Sequence, residues 1–467
     1  MIFSIPQELV ELAQIFKKNK EKLYIVGGFV RNKILNVPDE YNLDIDICSS
    51  ALPEKILKML EKTDFEASYM NKEIGVLEIK KNIRFEHATF RKEKYEFSGV
   101  HIPNNVEFIT DINQDAIRRD FRCNAVYYDI LEEEIVDPLN GFCDINNKLI
   151  QTTTDPEIVF KDDAERILRM VRFASQLGFE IEKNTYKQAV KNVSKLKFLS
   201  KTRIREEFAR IVLADTAYPI FADIKYAHAR GMMMLANMGA LPYILPALEE
   251  IRQSGLIEDR GKLLFEHVMN VFAVCDPEVR LSALLHDVGK ARAKEEYGNF
   301  NGSEDFTPII IEQNLGEEGL CFSKKIIERV KKVCLGQDFN KYGLESSKNI
   351  RHFIAENYEV IELILKLKKA INFDKYNKKS LSFGTTRLKS IYEKMLKENT
   401  PFTLKELKID GNIILKTFPQ IRANRIGVLL DKLLYVCIDK PSKNNTEDLL
   451  NVAEKILIKN KQDYLEN

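Results

Sequence analysis

The sequence predicts an α+β chain, with a mixed sheet-and-helix head over about the first 155 residues and an all-helical remainder. Three observations carry that reading. Short apolar runs of period two, broken by Gly and Pro turns, fill the first 150 positions. From Asp155 onward the apolar period becomes helical, beginning with Ile167, Leu168, Val171, Ala174 and Leu177. At 467 residues the chain exceeds what one hydrophobic core usually serves.

The elements follow in order. "MIFSIPQELVELAQIFKKNK" reads as an amphipathic helix capped near Ser4 or Pro6. Residues 23–26 form an apolar run into Gly27-Gly28, a strand entering a tight turn, and "GFVRNKIL" then starts a helix. Residues 43–47 alternate as a strand with one acidic face. "LPEKILKMLEK" (52–62) is an amphipathic helix, and 74–91 hold two strands joined around Lys81-Asn82. Residues 125–150 read as strand, turn, strand, with Pro138 and Gly141 marking loops. Internal repeats and low-complexity linkers are absent, and boundaries fall near 155, 225 and 395.

Composition narrows the function. Lys+Arg number 71 against 70 Asp+Glu, so any nucleic-acid footprint is local. The seven cysteines (48, 123, 143, 275, 321, 334, 437) form no CxxC pair, which argues against a zinc ribbon or a disulfide framework. No run approaches the about 18 apolar residues of a membrane span. A soluble, cytoplasmic protein without a membrane partner is expected. The oligomeric state stays open.

The chemistry begins with "LYIVGGFVRNKILNVPDEYNLDIDI" (23–47). On a strand Asp44 and Asp46 share a face, about 6–7 Å apart at the backbone. Two carboxylates so placed suit a hard cation such as magnesium, which shares its ligands with substrate phosphates. Gly27 and Gly28 let the backbone approach phosphate, the next helix offers free N–H groups, and Arg31 adds a forked contact. Phosphate at one end and paired acids at the other form a site for nucleotidyl transfer. Each motif alone has a plain reading, a turn and a solvated strand face; their order and spacing favour the functional one.

This combination resembles the class II RNA nucleotidyltransferases, which include bacterial tRNA CCA-adding enzymes and bacterial poly(A) polymerases. "DAIRRDFRCNAVYYD" (115–129) resembles the family's second motif, implying that Arg118, Arg119, Asp120 and Asn124 contact ribose and triphosphate. "DPLNG" (137–141), "DDAERILRMVRFASQLGF" and "LSKTRIREEFARIV" (199–212) resemble its following motifs. The third of these four is the family's nucleotide-selecting helix, so Asp163 and Arg166 would read the base and Arg169 and Arg172 would join the nucleotide site. Three residues apart, Asp163 and Arg166 would lie on one helical face. An aspartate accepts and an arginine donates in a fixed fork. That pair matches the amine and ring nitrogen of cytosine and adenine and mismatches guanine and uracil. An intrahelical ion pair is the plain alternative. One departure stands out: Asn32 follows Arg31 where the family has aspartate.

The resemblance implies a polymerase-beta-like nucleotidyltransferase head at 1–155 and an elongated all-helical remainder. The latter comprises a neck at 156–225, an HD-like body at 226–395 and a tRNA-binding tail at 396–467. It implies magnesium as cofactor, tRNA as partner, and CTP and ATP as substrates for template-independent CCA addition. A-only addition, CC-only addition and poly(A) synthesis remain open on the same scaffold. The resemblance also implies a flexible switching element, placed around 64–91. His87 and His101 read as ordinary histidines. "LLHDVGK" (284–290) resembles the signature of HD-domain phosphohydrolases, with His267, His286 and Asp287 as a vestigial metal set; Ser303 stands where another histidine would serve. Hydrolysis is the weaker reading, because a hydroxyl replaces imidazole poorly at a transition metal.

Residues 161–210 carry 13 Lys+Arg and 7 Asp+Glu, a local basic face suited to RNA phosphates. Residues 404–450 resemble the tail of bacterial CCA-adding enzymes, with Gly411 near the start and a turn from Pro419 to Gly427.

Overall fold

Backbone pairing brings the first apolar run and the acidic run side by side. In the computed structural model, which describes residues 2–42, 44–95, 105–218, 224–258, 261–337, 346–376 and 382–464, β1 (Tyr24–Val26) lies antiparallel to β2 (Asp46–Ser49). The chain divides into two compact units, 1–249 with 317–321, and 250–316 with 322–467.

In the first unit α1 (Gln7–Lys18) buries Leu9, Leu12, Ala13 and Phe16, its one apolar stripe. Then come β1, α2 (Gly28–Ile34), β2 and α3 (Pro53–Leu60), started by Pro53 at its first turn. β3 (Glu66–Asn71), β4 (Val76–Lys80) and β5 (Arg84–Thr89) complete one half of a seven-stranded sheet. β6 (Arg91–Lys94) and β7 (Asn105–Phe108) form a separate antiparallel ribbon. After α4 (Ile112–Ile117), β8 (Tyr127–Asp129) and β9 (Glu134–Val136) close the sheet in the order β3-β4-β5-β2-β1-β8-β9. Within that sheet β2 and β5 pair in parallel and the other described neighbours pair antiparallel.

Two expectations change here. The acidic strand starts at Asp46, so Asp44 precedes the ladder; the alternation nevertheless holds, with Asp44 and Asp46 exposed and Ile45 and Ile47 buried. Residues 66–89 are three paired strands, so the flexible element placed around 64–91 falls on regular sheet, where each interior strand donates and accepts ladder bonds. His87 is buried, 2.8 Å from the Ser49 hydroxyl, and burial pushes its imidazole down to about 3. His101 lies outside the described residues.

Beyond β9 the first unit continues in helices. Gly141 opens α5 (Gly141–Asn146) rather than marking a loop, and α6 (Pro156–Asp162), α7 (Glu165–Leu177), α8 (Lys183–Asn192) and α9 (Lys201–Val212) follow. Ile167, Leu168, Val171, Ala174 and Leu177 are all buried on α7, as their spacing requires. Among its described residues the second unit is built from helices, with one isolated antiparallel bridge between Ile257 and Leu263. Its last helices, 411–417, 426–439 and 446–459, close over a core that includes Leu407, Ile414, Leu429, Leu433, Leu449 and Ala453. Among the described residues, no helix is long and apolar enough to cross a membrane.

Close packing makes one glycine diagnostic. A Cβ on Gly141 would stand 2.0 Å from the Arg122 carbonyl oxygen, whereas one on Gly427 would meet nothing within 4 Å. Gly141→Ala is expected to cost about 1–3 kcal/mol through forced displacement. Gly427→Ala, in an exposed first helical turn, should be neutral or stabilise by less than about 1 kcal/mol. Urea denaturation of both variants checks this, and equal effects would remove the packing reason.

Candidate active site

The turn after β1 is fixed by Gly27, whose φ of +80° favours a residue without a side chain. Register places Val26 opposite Asp46. A Cβ on Gly27 would lie 3.5 Å from an Asp46 carboxylate oxygen, so the acid and the diglycine turn border the same space. Across the parallel pair, Glu86 stands opposite Asp46 on the same face of the sheet. The Asp46 carboxyl is pushed up to about 6, by the crowding of surrounding protein and then by Glu86 and Asp44, against Arg119 and Arg169. Asp46 is itself solvent-exposed, and the like charges of Glu86 and Asp44 disfavour its ionised form. Among the described residues neither the Asp44 nor the Asp46 carboxylate is engaged in a hydrogen bond or ion pair. Two open, solvent-facing acids suit magnesium, a cation that keeps several waters and takes few protein ligands.

Arg31 is placed differently from the phosphate contact expected of it. Its side chain is 1% exposed, and its guanidinium donates to the Asn32 side-chain oxygen at 2.9 and 3.2 Å and to Asn124 Oδ1 at 2.5 Å. Asn32 thus orients Arg31 without a carboxylate. Its amide also donates to Asn42 Oδ1 and the Tyr218 hydroxyl, both at 3.2 Å, which an aspartate could not do.

Motif residues 118–124 gather round two buried carboxylates. Asp120 Oδ1 accepts from the Phe121 N–H at 2.8 Å and from Asn124 Nδ2 at 3.2 Å. Its Oδ2 accepts from Arg169 Nε and Nη2 at 2.8 and 2.7 Å. Burial would raise the Asp120 carboxyl, but Arg169 dominates and holds it at about 2. The sequence reading missed the second hub, Asp115. This fully buried acid accepts from Arg118 Nε at 2.8 Å, from Arg119 Nη2 at 3.1 Å and from the Tyr127 hydroxyl at 2.8 Å. The i, i+3, i+4 spacing of Asp115, Arg118 and Arg119 was the available signal.

The segment expected to select the nucleotide is not one continuous helix. Asp163 is extended (φ −140°, ψ 106°) between α6 and α7, and its carboxylate accepts from the Glu165 N–H at 2.9 Å. Capping therefore brings Asp163 to Arg166, 3.8 Å apart, and the expected shared helical face does not exist. Arg166 Nη2 donates to the Arg118 carbonyl at 2.8 Å. Arg172 pairs with buried Glu207 of α9 at 2.6 Å. Arg31, Arg169 and Arg172 surround the Phe173 ring at 5.1, 5.4 and 4.1 Å from its centroid, a cation–π hub that the sequence reading also missed. In the basic stretch, Arg203 and Arg210 pair with Glu165 and Glu207, while Lys183, Lys187, Lys191, Lys197 and Lys201 are exposed.

In the second unit His267, His286 and Asp287 do converge, all buried, with ligand atoms within 4.8 Å of one another. His286 Nδ1 faces the Ala283 carbonyl at 2.7 Å, and His267 Nδ1 faces Asp374 at 2.6 Å. The two Nε2 atoms then meet at 3.2 Å. Burial pushes His286 down to about 4, keeping it neutral. That donor set fits a transition metal, although Lys290 already sits 2.7 Å from both Asp287 and Glu258. Ser303 starts the helix 303–315 and its carbonyl accepts from Thr307.

Comparison with known proteins agrees with this geometry. Residues 23–151 match the family model "Poly A polymerase head domain", and residues 178–252 match "Probable RNA and SrmB- binding site of polymerase A". The CCA-adding enzyme of Staphylococcus epidermidis is 33% identical over 283 residues, covering 59% of this chain and 65% of that relative. The CCA-adding enzyme of Lactobacillus helveticus is 38% identical over 204 residues, covering 43% of this chain and 49% of the relative. The chain thus matches between about half and just under two thirds of those curated relatives' lengths. The fold is similar to that of the Bacillus stearothermophilus CCA-adding enzyme in complex with CTP, with a TM-score of 0.67 and 18% identity over 98% of each chain. It is also similar to the Thermotoga maritima CCA-adding enzyme complexed with tRNA (TM-score 0.52, 16% identity, 97% of this chain and 96% of that one). The head-domain match falls on the diglycine turn, the paired acids and the Arg118–Asn124 motif, and the chain shares the fold of CCA-adding enzymes over nearly its whole length.

Proposed function

We propose that this protein is a template-independent tRNA nucleotidyltransferase that adds CCA to the 3′ end from CTP and ATP. The observation that carries this reading is the closeness of Asp46 to the Gly27 turn, which would join cation-binding acids to a phosphate-binding backbone. Magnesium held by Asp44 and Asp46 would ease loss of the proton from the attacking 3′ hydroxyl and offset the negative charge of the departing pyrophosphate. The chain's own groups do the rest. Arg118 and Arg119, preset by Asp115, face the triphosphate. Asp120 and Asn124, preset by Arg169 and Arg31, read the ribose. Asp163 and Arg166 read the base edge. Glu86, beside Asp46, is a third acid within the same electrostatic field. The four-part layout, with head at 1–155, neck at 156–225, body at 226–395 and tail at 396–467, belongs to this reading. In it the exposed lysines of α8 and α9 and the helices beyond 404 hold the RNA. The family relationship and the CCA-adding names of the similar proteins support it over poly(A) synthesis.

The test is incubation of the protein with tRNA transcripts ending before CCA, after C, and after CC, with CTP and ATP supplied separately. Addition of C, C and A in turn is expected; only C, only A, or an open-ended A tail would replace the proposal by the matching partial activity. In the same assay Asp44→Ala and Asp46→Ala should lose incorporation by orders of magnitude while transcript binding persists. Retained turnover would remove the cation role.

Arg166→Ala should relax base choice. Losing a charged hydrogen bond costs about 1.5–3 kcal/mol, roughly ten- to hundredfold in discrimination. Misincorporation of UTP and GTP measures it, and unchanged fidelity would leave Arg166 as an ion-pair partner alone.

A further inference from the structure

A third buried carboxylate approaches the site from the β6–β7 ribbon. Glu93 of β6 is largely buried. Its Oε1 accepts from Arg91 Nε at 2.7 Å and lies 3.5 Å from Arg118 Nη1. Its Oε2 accepts from the Tyr95 hydroxyl at 2.8 Å. Glu93 and Asp115 therefore grip Arg118 from two sides, one on each part of its guanidinium. Burial alone would raise the Glu93 carboxyl, yet Arg118 and Arg91 hold it below its ordinary value, so it stays charged.

Arg118 has two ends with different duties. Its guanidinium belongs to the triphosphate side. Its carbonyl oxygen accepts from Arg166, the donor of the base-reading pair. One route thus leads from Glu93 to the selector, through the Arg118 side chain and backbone.

Resting on the nucleotidyltransferase reading, we propose that Glu93 is a specificity-determining positioning residue. By fixing Arg118 it fixes the seat of Arg166, so that loss of its carboxylate relaxes base discrimination as well as triphosphate affinity. A carboxylate that only neutralised arginine charge would act on the triphosphate, which all four nucleotides share, and would leave their ratios unchanged.

The experiment is equilibrium binding of CTP, ATP, UTP and GTP to the full chain, with magnesium and without tRNA, so that no transfer is needed for a readout. In Glu93→Gln the CTP:UTP and ATP:GTP affinity ratios are expected to fall on the order of tenfold, the scale of one misaligned polar contact in a selective pocket. Tyr95→Phe keeps the ring and removes one hydroxyl, so a smaller fall in the same direction is expected. It also serves as the deciding variant if thermal melting shows Glu93→Gln unfolded. A parallel loss of affinity for all four nucleotides, unchanged ratios in both variants, or a wild-type protein without preference would overturn the inference. A wild-type protein that binds selectively but fails to extend tRNA would end the transfer reading alone.

Discussion

The antiparallel pairing of β1 with β2 is the constraint on which the rest of the site depends. It fixes Val26 opposite Asp46 and therefore puts the diglycine turn beside an acid. Ladder hydrogen bonds allow no sliding by one residue without turning every side chain to the other face. Cys48 and Ile47 are fully buried on opposite faces, so such a slip would expose core and bury Asp46. The spatial relation of the diglycine turn to the paired acids is thus a consequence of strand register.

Around that fixed edge the remaining groups are held by charge pairing in a dry setting. Asp115, Asp120, Glu93 and Glu207 are buried, and each meets one or more arginines. Buried charges persist only when paired and hydrogen-bonded, and breaking one partner away leaves the other costly. The same expense preorganises the site: arginines already aligned need little rearrangement when an anionic substrate arrives. α7 is the element that joins the set, since Arg166, Arg169 and Arg172 reach the Arg118 carbonyl, Asp120 and Glu207 respectively.

Much of this was legible in the sequence where chemistry and local period coincide. Gly27, Gly28, Asp44 and Asp46 declare themselves by type and spacing, and α7 by its apolar stripe. What stayed hidden depends on partners distant in sequence. Arg31 reads as a phosphate ligand because nothing local reveals Asn124, 93 residues away, or the Phe173 ring. The β6 segment "RKEK" has no apolar alternation, so neither the ribbon nor the role of Glu93 could be seen. The break at Asp163 was masked by a helical period that runs past it, although aspartate is a favoured cap. In the second unit, Asp374 joins His267 from a helix 107 residues further on, beyond the reach of a motif reading.

Electron paramagnetic resonance of Mn2+, substituted for magnesium, is the most direct measurement of the cation cleft. Titrations with and without CTP separate ions shared with a triphosphate from any held at the histidine cluster. A tight Mn2+ signal that appears with CTP and disappears in Asp44→Asn is the predicted result. A CTP-dependent signal indifferent to that substitution, or none in the wild-type protein, would contradict the placement of the ions at the paired acids.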